Sequence, residues 1–177
     1  MDKGYVHVYT GDGKGKTTAA LGLAVRALGA GMSVYIGQFI KGMRYSEIKT
    51  LETLASVLEP DRLVVRQYGR GCFIRRAPEQ KDIDVARSGL KEAGDALASG
   101  RYGLVILDEL NVAVKTGVVT EAEALSLIAR RPPHVELVVT GRYAPQAVLD
   151  AADLITEMRE VRHYYRRGIQ ARDGIER

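Results

Sequence analysis

The run Gly11-Asp12-Gly13-Lys14-Gly15-Lys16-Thr17-Thr18 stands between an apolar, strand-like segment at Gly4–Thr10 and a helical stretch from about Lys16 to Leu28. Glycines there let consecutive backbone N–H groups turn inward around phosphate oxygens, and the helix N-terminus adds the positive end of its dipole. Lys16 supplies a point charge, and Thr17 a hydroxyl suited to a phosphate-bound Mg²⁺. In the standard pattern four residues separate the first glycine from the Gly-Lys pair. Counting back from Gly15 puts Thr10 in that place, so the loop is contracted and its first glycine, Gly11, comes one residue late. The competing reading is a solvated glycine turn. The strand before it and the helix after it favour phosphate.

The remaining chain repeats the same alternation. Strand-like runs are read at Ser33–Phe39, Arg62–Tyr68, Leu104–Leu107, His134–Thr140 and Asp153–Met158. Helices are read at Tyr45–Val57, at about Glu79–Ala98, from Thr120 onward and at Pro145–Ala151. On the long helix Ile83, Ala86, Leu90, Ala93 and Leu97 recur at three- and four-residue steps and mark its buried face. Thr120 and Glu123 have capping-box spacing. Continuous apolar strands separated by helices predict an α/β fold: a mostly parallel six-stranded sheet with helices on both faces. No repeat or linker divides residues 1–177, which are expected to form one domain.

The strand at Leu104–Leu107 ends in Asp108-Glu109, with Asn111 just beyond. A carboxylate at the C-terminal end of a buried parallel strand is where a phosphate-loop protein organises its metal. Thr17, Asp108 and Glu109 are therefore the candidate metal residues. The alternative is that Asp108 and Glu109 only cap the next helix and favour its dipole. Arg142 closes the fifth strand in the same way, and its planar fork suits triphosphate oxygens, although an arginine after a strand is often just a surface residue.

Charge limits the choice of partner. Of the net +4, residues 159–177 contribute +3, from six Arg against three acids. A chain nearly neutral elsewhere does not present the basic face that duplex DNA requires. The tail contains Arg162, His163, Tyr164, Tyr165, Arg166 and Arg167. That mixture reads either as a stacking element for single-stranded nucleic acid or as a solvated edge strand blunted by charge. The single cysteine, Cys72, excludes an intramolecular disulfide and a cysteine-built zinc site. No apolar run approaches the roughly 18 residues of a membrane span, and no signal-peptide core opens the chain. The expected compartment is the cytoplasm.

Taken in order, Thr10–Thr18, Gln38-Phe39-Ile40-Lys41-Gly42, Leu107-Asp108-Glu109-Leu110-Asn111 and Arg131-Pro132-Pro133-His134 resemble the ATP:corrinoid adenosyltransferase family of B12 synthesis and salvage. The likeness continues through Val139-Thr140-Gly141-Arg142, Ala152–Met158, Gly168-Ile169-Gln170-Ala171 and Gly174-Ile175-Glu176. It implies a RecA-like nucleotide-binding fold and a homodimer. It implies Mg²⁺, with Mn²⁺ as an alternative, and ATP and a reduced corrinoid as substrates. An electron donor such as a reduced flavoprotein would supply Co(I). The family transfers the 5′-deoxyadenosyl group and releases triphosphate, so the reacting atom is the ribose C5′. Gly11, Asp12, Gly13, Lys14, Gly15, Lys16, Thr17 and Thr18 would then bind ATP. Lys16 and Arg142 would stabilise the leaving group, with residues 159–177 completing the site.

Two departures from the family pattern stand out. The chain starts almost at its first strand, so the N-terminal extension that covers the site in many members is expected to be missing. Relatives often show Gly-x-Gly-Phe-x-Trp after the third strand, whose aromatics displace the lower cobalt ligand. Here the segment reads Gly69-Arg70-Gly71-Cys72-Phe73-Ile74, placing Cys72 and Ile74 at the aromatic positions with Phe73 between them. These three are the candidate corrinoid residues. The rival activities are a RecA-like ATPase, with Glu109 polarising water and the tail on single-stranded nucleic acid, and a small-molecule kinase.

Overall fold

The computed structural model describes residues 2–71 and 77–177. Its strands are β1 (Val6–Thr10), β2 (Val34–Phe39), β3 (Leu63–Tyr68), β4 (Leu104–Asp108), β5 (Glu136–Thr140) and β6 (Leu154–Glu157). Helices α1 (Lys16–Gly29), α2 (Ser46–Val57), α3 (Gln80–Ala98), α4 (Leu110–Lys115), α5 (Glu121–Ala129) and α6 (Gln146–Asp150) fill the crossovers. The strands form one sheet in the order β3-β2-β4-β5-β1-β6, and each neighbouring pair is parallel. This is the predicted α/β architecture, and it is consistent with a RecA-like phosphate-loop fold.

Side chains alternate across a strand, so each strand feeds two cores. Val34 and Ile36 of β2, Leu63 of β3, Leu104 and Ile106 of β4 and Val138 of β5 pack with Ala20, Ala24 and Ala27 of α1 and Leu51 of α2. The opposite parity, including Val105, Leu107, Leu137 and Val139, packs under α3, α4, α5 and α6. On α3 the expected stripe is inward, with Ala86, Ala93 and Leu97 buried and Ile83 and Leu90 packed against the core. Thr120 and Glu123 make both halves of the capping box.

At Gly89 α3 lies tight against Tyr68 at the end of β3. A Cβ there would lie 2.2 Å from Cγ of Tyr68. That ring cannot easily yield. It packs on Phe39 with centroids 5.3 Å apart, and its hydroxyl bonds that of Tyr35. Gly89→Ala is therefore expected to destabilise by about 1–3 kcal/mol through overpacking, despite about 1 kcal/mol of gain in helix propensity. Urea unfolding measures the net effect, and a more stable variant would show that the ring moves aside.

Two sequence expectations change. The six-residue α4 entered the sequence reading only as the helix that Asp108 and Glu109 would cap, because a helix of under two turns shows no periodicity. Residues 159–177 add no strand: the sheet ends at β6, and the tail runs into a single 3₁₀ turn at Tyr164–Arg167. The edge-strand reading of the tail is therefore wrong. Arg131 proves structural. Its guanidinium donates to the carbonyls of Pro132, Pro133 and Val135, fixing the turn into β5 at the edge of the sheet away from the loop. No helix among the described residues is long and apolar enough to cross a membrane.

Candidate active site

Between β1 and α1 the chain turns at Gly11 (φ 92°) and Gly15 (φ 118°), conformations that favour glycine. The loop also lies tightly on the end of β6. Gly13 N–H donates to Met158 O at 2.6 Å, and a Cβ on Gly11 or Gly13 would meet that oxygen at 2.5 and 2.6 Å. Lys16 is buried, and its ammonium donates to the carbonyls of Gly11 (2.6 Å) and Gly13 (2.7 Å), so it lies over the hollow of the loop. Burial, then the neighbouring Arg142, holds the Lys16 ammonium below the usual lysine range. Asp12, Lys14 and Thr18 are exposed around the loop, and Lys14 donates to Ile175 O at 2.9 Å, tying the tail to it. Ser46 Oγ reaches Arg177 O at 3.1 Å.

Under α1 the sheet supplies a polar layer whose origin is simple parity. The α1-facing stripes 34-36-38 and 104-106-108 run apolar until their last position, Gln38 or Asp108, and on β5 the buried Val138 is followed on the same face by Thr140. All three are buried. Gln38 is paired in register with Asp108 on one side and Gln67 on the other. Asp108 accepts four hydrogen bonds. Thr17 Oγ1 (2.9 Å) and Thr140 Oγ1 (2.7 Å) donate to Oδ1, while Lys41 Nζ (2.9 Å) and Gln38 Nε2 (3.1 Å) donate to Oδ2. Gln67 Nε2 donates to Gln38 Oε1 in turn. The alternative that Asp108 and Glu109 only cap a helix fails: Asp108 is committed to these donors, and Glu109, at the N-cap of α4, makes no side-chain cap bond.

Backbone strain gathers at the same edge. Ile40, Glu109 and Tyr143 have φ of 65°, 60° and 60°, and they follow β2, β4 and β5. A β-branched residue such as Ile40 adopts this region rarely, and such strain clusters where a site must be held open or aimed. Ile40 turns the chain so that Lys41 lies inward. The ammonium of Lys41 contacts Asp108, Thr17 Oγ1 (3.1 Å) and Glu109 Oε1 (4.0 Å). Burial alone would depress Lys41, but the carboxylates of Asp108 and Glu109 outweigh it and hold the ammonium above its usual value. Arg142 is exposed on the rim just past Gly141, near enough to act on both Lys16 and Glu109.

Gln38, Lys41 and Thr140 are the residues that sequence reasoning missed. The available signal was a polar residue closing an otherwise apolar alternate stripe on several parallel strands. Cys72, Phe73 and Ile74, the candidate corrinoid residues, lie outside the described residues. Thr17, Asp108 and Glu109 offer only hard oxygen atoms, and no three His, Cys, Asp or Glu converge elsewhere among the described residues. Such a donor set fits Mg²⁺, which is held through one or two carboxylates together with substrate phosphates, and it does not form an all-protein cage.

Burial, then the charge of Asp108, raises the Glu109 carboxyl above 4.5, with Lys41, Lys16 and Arg142 pulling the other way. A raised folded pKa means that Glu109 contributes stability below its unfolded value. That contribution is lost as pH climbs through the folded value. Glu109→Gln is expected to melt at a higher temperature than the parent at pH 7, with the advantage gone once pH falls below about 4.5. Circular dichroism melts across that window read it directly. A lower melting temperature at pH 7 would mean that the three cations outweigh burial.

Over residues 2–177 the sequence matches the family described as ATP:corrinoid adenosyltransferase BtuR/CobO/CobP. It is 39% identical to a corrinoid adenosyltransferase of Pseudomonas aeruginosa, covering 99% of this chain and 84% of the relative. Identity to corrinoid adenosyltransferase CobA of Salmonella typhimurium is 33%, covering 99% and 86%. Identity to the corrinoid adenosyltransferase of Escherichia coli is also 33%, over the same shares.

Proposed function

Because this chain belongs to the ATP:corrinoid adenosyltransferase family, it transfers the adenosyl group of ATP to a corrinoid, and we propose how its residues divide that work. The Co(I) electron pair attacks C5′ of ATP, the Co–C bond forms as the C5′–O bond breaks, and triphosphate leaves with the bonding pair. The protein needs no nucleophile of its own for this. Its task is to hold the two substrates in line and to stabilise charge on the departing triphosphate.

The observation that carries this division is the position of Lys16 over the loop, its ammonium depressed by burial and by the nearby Arg142. Two cations held close at a loop built for phosphate are poorly satisfied alone and well satisfied by a polyanion. Lys16, Arg142 and the loop N–H groups of residues 11–18 grip the triphosphate. Mg²⁺, held by Thr17 with Asp108 and Glu109 behind it, would neutralise charge on the phosphate oxygens. Residues 159–177 complete the site, a role supported by the bonds from Lys14 to Ile175 and from Ser46 to Arg177. Phe73, Ile74 and Cys72 contact the corrinoid, by likeness to the family pattern. The same likeness supports a homodimer, an electron-donor protein such as a reduced flavoprotein, and a cytoplasmic location.

The test is the dependence of ATP consumption on corrinoid. Incubated with Mg²⁺ and ATP, the protein is expected to consume ATP only when chemically reduced corrinoid is added, with triphosphate appearing in step with the alkylated corrinoid. Steady formation of ADP without corrinoid, stopped by Glu109→Gln, would establish the ATPase instead. ADP formation that requires an added acceptor would establish the kinase.

A further inference from the structure

Lys41 lies outside the phosphate loop, yet its ammonium sits on the two groups assigned above to the metal side of the site. It is 2.9 Å from Asp108 Oδ2 and 3.1 Å from Thr17 Oγ1, with Glu109 Oε1 at 4.0 Å. Its position is enforced. Lys41 N–H donates to Phe39 O at 2.7 Å, and Gly42 N–H donates to Gly71 O at 2.8 Å, locking the turn onto the strand-end segment 69–71. The two segments touch so closely that a Cβ on Gly42 would meet Gly69 O at 2.5 Å, and one on Gly69 would meet the Ile40 carbonyl carbon at 2.5 Å. With φ of 65° at Ile40, the backbone is bent against its preference to deliver this one cation.

We propose that Lys41 is a built-in cation that competes with Mg²⁺ for Asp108 and Thr17, so that the divalent ion is taken up only together with the triphosphate that gives the displaced ammonium a new partner. This rests on the assignment of Thr17 and Asp108 to the metal. The physical basis is that a carboxylate with four donors on its two oxygens has no lone pair open to a second cation. A metal approaching Asp108 must also meet the Lys41 charge at close range in a buried place, where repulsion is little screened. Bare Mg²⁺ would thus be refused, and Mg²⁺ arriving on ATP would move Lys41 onto the phosphate chain. Lys41 then adds its charge to the grip on the leaving group.

Mn²⁺ alone, without nucleotide, is the probe. Electron paramagnetic resonance reports the amplitude of the free-ion signal as protein is added. The parent protein is expected to leave the signal nearly unchanged. Lys41→Met is expected to take up one ion per chain about tenfold or more tightly, since the repelling charge is gone. Lys41→Arg, which keeps the charge, is expected to behave as the parent. Combining Lys41→Met with Asp108→Asn is expected to abolish the uptake. Should Lys41→Met fail to give a native circular dichroism spectrum, Lys41→Gln keeps a donor for Asp108 without the charge and carries the same expectation. Equal uptake by the parent and a folded neutral variant, or no uptake by that variant, overturns the proposal. Uptake that survives Asp108→Asn overturns it as well, by removing Asp108 from the metal. Each of these results is independent of whether triphosphate is the reaction product, so the adenosyl-transfer reading stands or falls separately.

Discussion

The Lys16→Ala protein is expected to lose roughly 10²–10³ of its turnover, the usual penalty for removing one preorganised group that stabilises developing charge. Its fold should survive. Burial and Arg142 depress the Lys16 ammonium, so the charged form is disfavoured in the folded protein. A group whose folded pKa is lowered in this way weakens the fold at neutral pH. The variant should keep the native fold at pH 7, while its rate with saturating ATP and preformed Co(I) corrinoid falls steeply. A rate close to the parent's, with a native circular dichroism spectrum, would remove Lys16 from the leaving-group site. A large fall in melting temperature would instead make Lys16 a structural brace for Gly11 and Gly13.

Asp108→Asn should act in the opposite manner, damaging stability and activity together. The carboxylate is wholly buried and takes donors on both oxygens from Thr17, Thr140, Lys41 and Gln38. An amide in the same place turns its NH₂ toward two of those donors whichever way it is flipped. It also leaves the buried Lys41 ammonium without its closest counter-charge. Breaking a buried pair from one side costs about 3–5 kcal/mol. At roughly 2–4 °C per kcal/mol for a chain of this length, the melting temperature should fall by about 6–20 °C. The dependence of turnover on Mg²⁺ concentration should shift upward as well. A variant with the parent's melting temperature would mean that Lys41 finds another partner at no expense, and that the Asp108 cluster is looser than its geometry indicates.

What the sequence disclosed depended on how local the signal was. The loop at 11–18 was plain, because strand, glycines, lysine and helix are contiguous. All six strands and the long α3 were plain because apolar periodicity covers each of them. The six-residue α4 showed none, and the fate of the tail is set by contacts with residues far away in the chain, such as Lys14 and Ser46. The polar layer is intermediate. Asp108 was picked out because it ends a buried parallel strand in a chain with a phosphate loop, whereas Gln38 and Thr140 are ordinary residues until the register places them beside it. Lys41 was visible within a quoted motif, yet its role follows only from the left-handed turn at Ile40 and the close approach of Gly42 to Gly69, neither of which a periodicity can show. Arg131 shows the reverse: its segment helped to carry the family likeness, and its side chain serves the backbone.

In the proposed division of work the phosphate loop holds a leaving group while the bond breaks at carbon. ATP carrying ¹⁸O in the bridge between C5′ and the α-phosphorus tests this. Given Mg²⁺ and reduced corrinoid, attack at C5′ predicts that all of the label is found in released triphosphate, with none in the adenosyl group now bonded to cobalt. Label retained in ADP, with the γ-phosphoryl group lost to water or to an acceptor, would place the reaction at phosphorus and contradict the account.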